Sequence, residues 1–534
     1  MGSNGNSLNL SSSFNIQQVA LDGNNINSWI LNTGVFDQDR RIGISPGFEW
    51  PILTGRQMVL SAGLTLSAYY NGTIRMAAAS HTGEYVPGHI IDSAGIPVAW
   101  TDTIFKIYKV KRGDNRFNNP DWLNWGLMVP YGAPFTDVNH NGIYEPDIDT
   151  PGVKGASQTI FVCLTDGFPW SHTPNEGFGG GTLPLYAEVH MTAWCYEEMP
   201  LSDAQFIKWD VINKSHTQWN GAYFSIISNP GIGCPLDDLM GTDSSRGLAF
   251  CYNGEEVDCS GIHHYSGIVP AIGFQWLNCP DYRNTSALNS VVYYSSANSN
   301  GPPCDHEPGS DVVKAYNFIR GYKNEGTQFV IPNTNPPVVT KFCYNGDPES
   351  GTGWSSNIRV GNCGGLLTGS NYIPDDSSCK FVMSSGADNL IINPGDTHTV
   401  AIAQFASRGA NRRNSVTVLK TYSSYIKSAA CNDFVLGLNH QTKTSFGSIF
   451  TVYPNYPNPF NPKTVIKYEV SKSDFLILTV YDALGKVVAT LVKGVQQPGT
   501  YRVEWDGINY PSGVYFYKLS AGGYEQTRKM VMIK

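Results

Sequence analysis

Along most of this chain apolar residues recur at every second position in short runs broken by Gly, Pro, Asn and Asp, a pattern that predicts strands rather than helices. Between residues 26 and 110, MVLSAGLTLSAYY, TIRMAAAS and PVAWTDTIFKIYKV read as strands, and Asn71-Gly72 suits a hairpin turn between the first two. Residues 111–185 read as long loops, and strand-like runs resume at 186–228 and continue irregularly to about 408. One stretch has the helical period: Val416, Leu419, Tyr422, Ile426 and Ala430 follow the cap candidate Asn414, which predicts a helix near 415–430. From Val465 to Ile533 the runs VIKYEV, FLILTVYD, VVATLV, TYRVEW, GVYFYKL and KMVMI alternate inward and outward between tight turns, as an antiparallel sandwich of immunoglobulin-like type requires.

The chain has 534 residues, well beyond the size at which one core stops growing. The reading is a mainly β, multi-domain protein. It has a flexible segment at 1–25, an antiparallel β-sandwich body at 26–436 that divides, if at all, near 185–230, a linker at 437–455, and a C-terminal sandwich at 456–534.

The last of these begins with YPNPFNPKT, in which Pro457, Pro459 and Pro462 fix the backbone and withhold ladder hydrogen bonds. An extended lead-in that packs Phe460 is expected. Together with VYDALGKVV, the WDG turn and a basic, apolar last strand, this segment resembles the type A sorting domain of the type IX secretion system of Bacteroidetes and related bacteria. The resemblance implies that Pro457, Asn458, Pro459, Phe460, Asn461, Pro462 and the terminal Lys534 belong to an export signal read by the type IX machinery. It also implies delivery to the outer cell surface or beyond. PLDDLMGTDSSRGLAFCYNGE and MSSGADNLIINPGDTHTVAIAQFASRG in the body resemble segments of secreted proteins with the same tail, which implies location and architecture but no activity.

Charge sharpens the picture. Residues 447–534 carry 10 Lys+Arg against 6 Asp+Glu, so with a net charge of -8 the preceding body stands near -12. An acidic body excludes the clustered cations that nucleic acid demands and suits divalent cations instead. No apolar run reaches the 18 residues or so of a membrane span. The start, MGSNGNSLNLSSSF, lacks the charged and apolar regions of a signal peptide, so passage across the inner membrane is expected to rest on a leader this sequence does not carry.

All eleven cysteines lie between Cys163 and Cys431, with no CxxC pair among them. In an exported protein they predict several disulfides, with Cys251–Cys259 and two of Cys343, Cys363 and Cys379 as near-sequence partners, and Cys195 as a buried thiol.

The strongest chemical pattern is DVNHNGIYEPDID. Asp137, Asn139 and Asn141 alternate before Gly142, as oxygen ligands at the first, third and fifth positions of a calcium loop do, and the Ile143 carbonyl falls at the seventh. The twelfth position holds Ile148, so Asp147 and Asp149 are expected to close the site. A second acidic group, Asp237, Asp238 and Asp243, followed by Glu255, Glu256 and Asp258, offers a weaker cation site. GxSxG, HExxH, GxxxxGK[ST] and strand-borne GxGxxG motifs are missing. The sequence therefore reads as a non-enzymatic, calcium-stabilised surface protein that adheres or assembles, with itself or with surface polysaccharide. The competing reading is a secreted polysaccharide-active hydrolase or carbohydrate-binding protein, for which paired acids would suffice.

Overall fold

The computed structural model describes residues 15–436 and 450–534, apart from 42, 92–95, 98–101, 236, 259–260, 262, 280–286, 296–305, 356–379, 453–454, 456, 471–472, 483–485 and 522–523. Strands dominate, and contacts divide the chain into two units, Met1–Gly437 and Leu438–Lys534.

The first unit is a sandwich of two large antiparallel sheets. The first sheet runs, in spatial order, through Gln18–Leu21, Asn27–Leu31, Val35–Phe36, Gln57–Tyr70, Trp219–Pro230, Lys380–Gly386 and Ser290–Tyr294. The second runs through Tyr108–Lys111, Gln158–Thr165, Ala187–Cys195, Ala204–Asn213, Thr397–Ser407, Ala271–Trp276, Leu248–Asn253 and Asp238–Asp243. Period two explains the assembly. In Gln57–Tyr70, Ala62, Leu64, Leu66 and Ala68 enter the core between the sheets, while Ser61, Gly63, Thr65 and Ser67 face the other way. That reverse face is also buried, because the segment around Ala79 crosses it; a Cβ on Gly63 would lie 1.8 Å from the Ala79 carbonyl oxygen. Across the core Phe224 stacks on His398 with centroids 4.1 Å apart, and Phe274 meets Phe381 edge-on at 5.0 Å.

The second sheet is buried on both faces, so its strands read as near-continuous apolar runs. In Ala187–Cys195 the residues Val189, Met191 and Ala193 face the first sheet, whereas Trp194 packs under the long helix. That helix, Arg412–Leu436, buries Val416, Leu419, Ile426 and Ala430, and Tyr422 packs against the same cluster. Its entry differs from expectation: the Asn411 side chain accepts from the Asn414 N–H at 2.9 Å, so the cap stands three residues earlier. Two further helices were not legible in the period, Pro120–Asn124 and Val312–Ile319. Both are short: Pro120–Asn124 is fixed by the Asn119 cap and buries no residue, whereas Val312–Ile319 joins the Asp311 cap to a buried face of Ala315, Tyr316, Phe318 and Ile319.

Other expectations change as well. Gln18–Leu21 pairs with Asn27–Leu31, so only residues 1–14 of the flexible segment lie outside the described residues. Residues 185–230 form no subdomain boundary, since their strands run through both sheets. A disulfide joins Cys279 to Cys431, 152 residues apart, and ties the helix to the strand Ala271–Trp276. Cys234 is also disulfide-bonded. Cys251 and Cys343 stay as buried thiols rather than pairing with near neighbours in sequence, because both side chains belong to the core between the sheets. Cys195 is a buried thiol there too. Cys259, Cys363 and Cys379 lie outside the described residues.

The second unit is a seven-stranded antiparallel sandwich. Phe450–Val452, Lys463–Val470 and Gly499–Asp506 form one sheet; Val487–Gln496, Asp474–Asp482, Gly513–Ala521 and Tyr524–Met532 form the other. Ile466, Tyr468, Leu478, Trp505, Tyr517 and Met530 share its core. The strand Phe450–Val452 lies within the expected linker, so the sheet starts before Tyr456.

Candidate functional site

The loop from Asp137 to Asp149 folds back on itself through its own side chains. Asp137 accepts from the Gly142 N–H at 2.7 Å and from Asn141 at 3.2 Å, and the first of these holds its carboxyl below the usual range. His140 and Gly142 take positive φ, 58° and 76°, which closes the turn. Glu145, not singled out by the motif, reaches inward: its Oε2 accepts from the side-chain amides of Asn139 and Asn141, each at 2.7 Å. Asp149 is buried and staples the loop's two ends, accepting from Val138 N–H at 2.9 Å and Glu145 N–H at 2.7 Å. Asp147 pairs with Arg116, and Glu145 takes the inward position in the turn. The Ile143 side chain is exposed, and its N–H donates to Asn141 Oδ1 at 2.7 Å. The result is a short turn laced by its own side chains, in which the amide nitrogens of Asn139 and Asn141 face Glu145 and their oxygens accept from backbone N–H groups.

The second acidic group separates. Asp243 lies at the far end of the strand Asp238–Asp243, paired with Arg246 at 2.7 Å and hydrogen-bonded by Ser245 at 2.6 Å. Glu256 pairs with Arg412 at 3.2 Å. Asp258 takes their place beside Asp237 and Asp238, and all three are buried. Burial first, then the charge of Asp258, pushes the Asp237 carboxyl up; burial pushes Asp238 up further.

Two buried clusters escape any linear motif because they join distant segments. Glu176 accepts from the N–H groups of Ser80, His81 (3.0 Å), Thr82 (2.6 Å) and Gly83 (2.6 Å), and from the hydroxyls of Ser80 (2.9 Å) and Thr82 (2.8 Å). His172 lies between Glu84 (3.4 Å) and Asp166 (3.7 Å). Burial alone would lower His172, but the Glu84 and Asp166 carboxylates outweigh it and hold the imidazole up to about 8. Elsewhere, strand register sets Cys163 opposite His190, whose Nε2 lies 2.9 Å from Glu188 Oε1. Glu188 also accepts from Ile90 N–H at 2.9 Å, and the Cys163 thiol donates to the Gly88 carbonyl at 3.2 Å. Burial and the Glu188 charge raise that thiol, which makes it a poor nucleophile.

In the second unit Phe460 is the fixed point of the lead-in. Its N–H donates to the Val531 carbonyl and its carbonyl accepts from Ile533 N–H, both at 3.0 Å, while its ring packs 5.4 Å from Trp505. Asn458 accepts from Val531 N–H at 2.9 Å, and the Pro462 carbonyl accepts from Gly507 N–H at 2.8 Å. Pro457, Asn458, Pro459 and Asn461 are exposed around the buried Phe460. Lys534 donates through Nζ to the Ile508 carbonyl at 2.6 Å.

Residues 454–534 match the family described as the secretion system C-terminal sorting domain. The chain therefore carries a type IX sorting domain at residues 454–534, which implies handling by the type IX secretion machinery. No curated protein matches it. Among solved structures it is similar to a polysaccharide lyase, at 9% identity and a TM-score of 0.14, over 64% of this chain and 34% of that one. It is also similar to dimeric latent PorU from Porphyromonas gingivalis, at 10% identity and a TM-score of 0.14, over 64% and 26%. The chain thus spans about a third of the lyase and about a quarter of PorU. At such TM-scores neither likeness bears on fold or activity. No helix among the described residues is long and apolar enough to cross a membrane.

Proposed function

We propose that the chain works at the outer cell surface as a structural or adhesion protein that assembles with further copies or with surface polysaccharide, stiffened by calcium in the Asp137 loop. The sorting domain at 454–534 carries this reading, because it commits the folded body to export. The chemistry of the body supports a scaffold over a glycosidase. A glycosidase needs a proton-donating carboxyl beside an open cleft. Among the described residues the carboxyls raised by burial, Asp37, Asp166, Glu176, Asp237 and Asp238, are all buried rather than placed on an open cleft. Outside the cell, calcium near millimolar would fill a loop with a dissociation constant of roughly 0.1 to 1 mM.

Removing residues 447–534 tests the location: the truncated chain should stay inside the outer membrane, whereas the full chain should be open to protease added to intact cells. Sedimentation and electron microscopy of the purified full chain in calcium test the role. Assembled particles or sheets are expected. A solitary chain that cleaves polysaccharide would overturn the scaffold reading.

A further inference from the structure

Three aspartates meet where the chain passes from one sheet of the body to the edge of the other. The strand Trp219–Pro230 ends in the first sheet, and the following turn is anchored there by Gly231 and Gly233, whose N–H groups donate to the Met58 and Gln57 carbonyls at 2.8 Å each. The chain then enters Asp238–Asp243, the edge of the second sheet. Asp237 and Asp238 stand at this crossing, and Asp258 reaches it from beyond the neighbouring strand Leu248–Asn253.

Asp258 is held rigidly. Its Oδ1 accepts from Cys234 N–H at 3.1 Å and its Oδ2 from Tyr265 N–H at 2.6 Å. Gly233 leaves room for it, since a Cβ there would lie 2.0 Å from Asp258 Oδ2. Asp238 accepts through Oδ2 from Ile232 N–H at 2.6 Å; its buried Oδ1 meets no donor in hydrogen-bonding geometry, although the Cys251 thiol lies near enough to ease the charge. Asp237 is more extreme: at 7% exposure, neither of its carboxylate oxygens meets a donor in hydrogen-bonding geometry, although Asn253 lies near enough to ease the charge slightly. Among the described residues neither Asp237 nor Asp238 forms an ion pair. A buried, unpaired carboxylate costs several kcal/mol, so a group of this kind calls for a cation.

The spacing suits one. An Asp237 oxygen and an Asp258 oxygen lie within 4.8 Å of each other. Two oxygens, each about 2.4 Å from a calcium ion, are at most about 4.8 Å apart. The Cys234 sulfur also lies within this radius, but it is committed to a disulfide and offers no thiolate, which favours an oxygen-seeking ion over zinc.

We propose that Asp237 and Asp258, with the buried Asp238 carboxylate beside them, bind a hard divalent cation, with calcium as the fitting member, which locks the crossing between the two sheets. This site stands apart from the Asp137 loop and does not depend on it.

The test uses the full chain carrying Asp137→Ala, stripped with chelator and equilibrated with 1 mM calcium, and reads bound calcium per chain and melting temperature. One ion per chain and a calcium-dependent rise in melting temperature are expected, and adding Asp237→Asn should remove both. Asparagine there abandons no hydrogen bond, so mere relief of repulsion would instead raise the melting temperature equally with and without calcium, and that result overturns the proposal. So does an Asp137→Ala chain that binds no calcium, a measurement that holds even if the double variant does not fold.

Discussion

Gln404 donates through Nε2 to Asp37 Oδ2 at 2.7 Å, joining the two sheets of the body across 367 residues of sequence. Asp37 is fully buried, takes a positive φ of 62°, and also accepts from Ser28 at 2.7 Å and Gln205 at 3.3 Å. Burial outweighs these donors and raises its carboxyl to about 7. The folded state therefore keeps a proton that the unfolded chain releases near the ordinary aspartate value of 3.8. Stability should fall as pH rises from about 4 to 7, by on the order of 4 kcal/mol from this group, and level off above. Asp37→Asn should remove that slope in denaturant unfolding followed across the same window. An unchanged slope would show that Asp37 is ionised throughout.

His172 has the opposite chemistry and the same direction. Its folded value of about 8 lies above the ordinary 6.5, so its contribution is complete below pH 6.5 and is lost as pH rises through about 8. The groups facing it are Glu84 and Asp166, with Glu176 acting on Glu84. His172→Gln should cost about 2 kcal/mol at pH 6 and markedly less at pH 9, read from urea midpoints. Equal losses at both values would mean a neutral imidazole.

Calcium removal gives a third expectation. If the Asp137 loop binds with a dissociation constant of about 0.1 mM, 1 mM calcium adds about 1.4 kcal/mol. Chelation should lower the melting temperature, and Asp137→Ala should shrink the difference. Asp147→Ala should leave it intact, because that side chain is turned toward Arg116. A melting temperature indifferent to chelator in the parent chain would remove calcium from the account.

Phe460→Ala probes the sorting domain. The ring is 2% exposed against Trp505, so truncation should destabilise this unit by roughly 3 to 5 kcal/mol and lower the fraction displayed at the cell surface. Asn461→Ala, at an exposed position, should leave stability unchanged and so separates recognition from folding. Normal display of a destabilised Phe460→Ala chain would show that the machinery does not read the folded lead-in.

The sequence by itself determined what depends on neighbours along the chain. Alternation in MVLSAGLTLSAYY marks a strand, the spacing of Val416, Leu419 and Ile426 marks a helix, and the prolines around Phe460 mark an export label, because each is a local pattern of side chains and backbone restriction. The turn at Asn141-Gly142 was legible for the same reason, yet the inward place of Glu145 was not, since it is set by the turn at His140 and Gly142. Tertiary structure alone decided which acids meet. It parted Asp243 from Asp237, brought in Asp258, set Glu84 and Asp166 about His172, and joined Cys279 to Cys431 rather than to a nearer thiol. Sheet order is a long-range choice driven by burying both faces of each strand, and spacing in sequence holds no record of it.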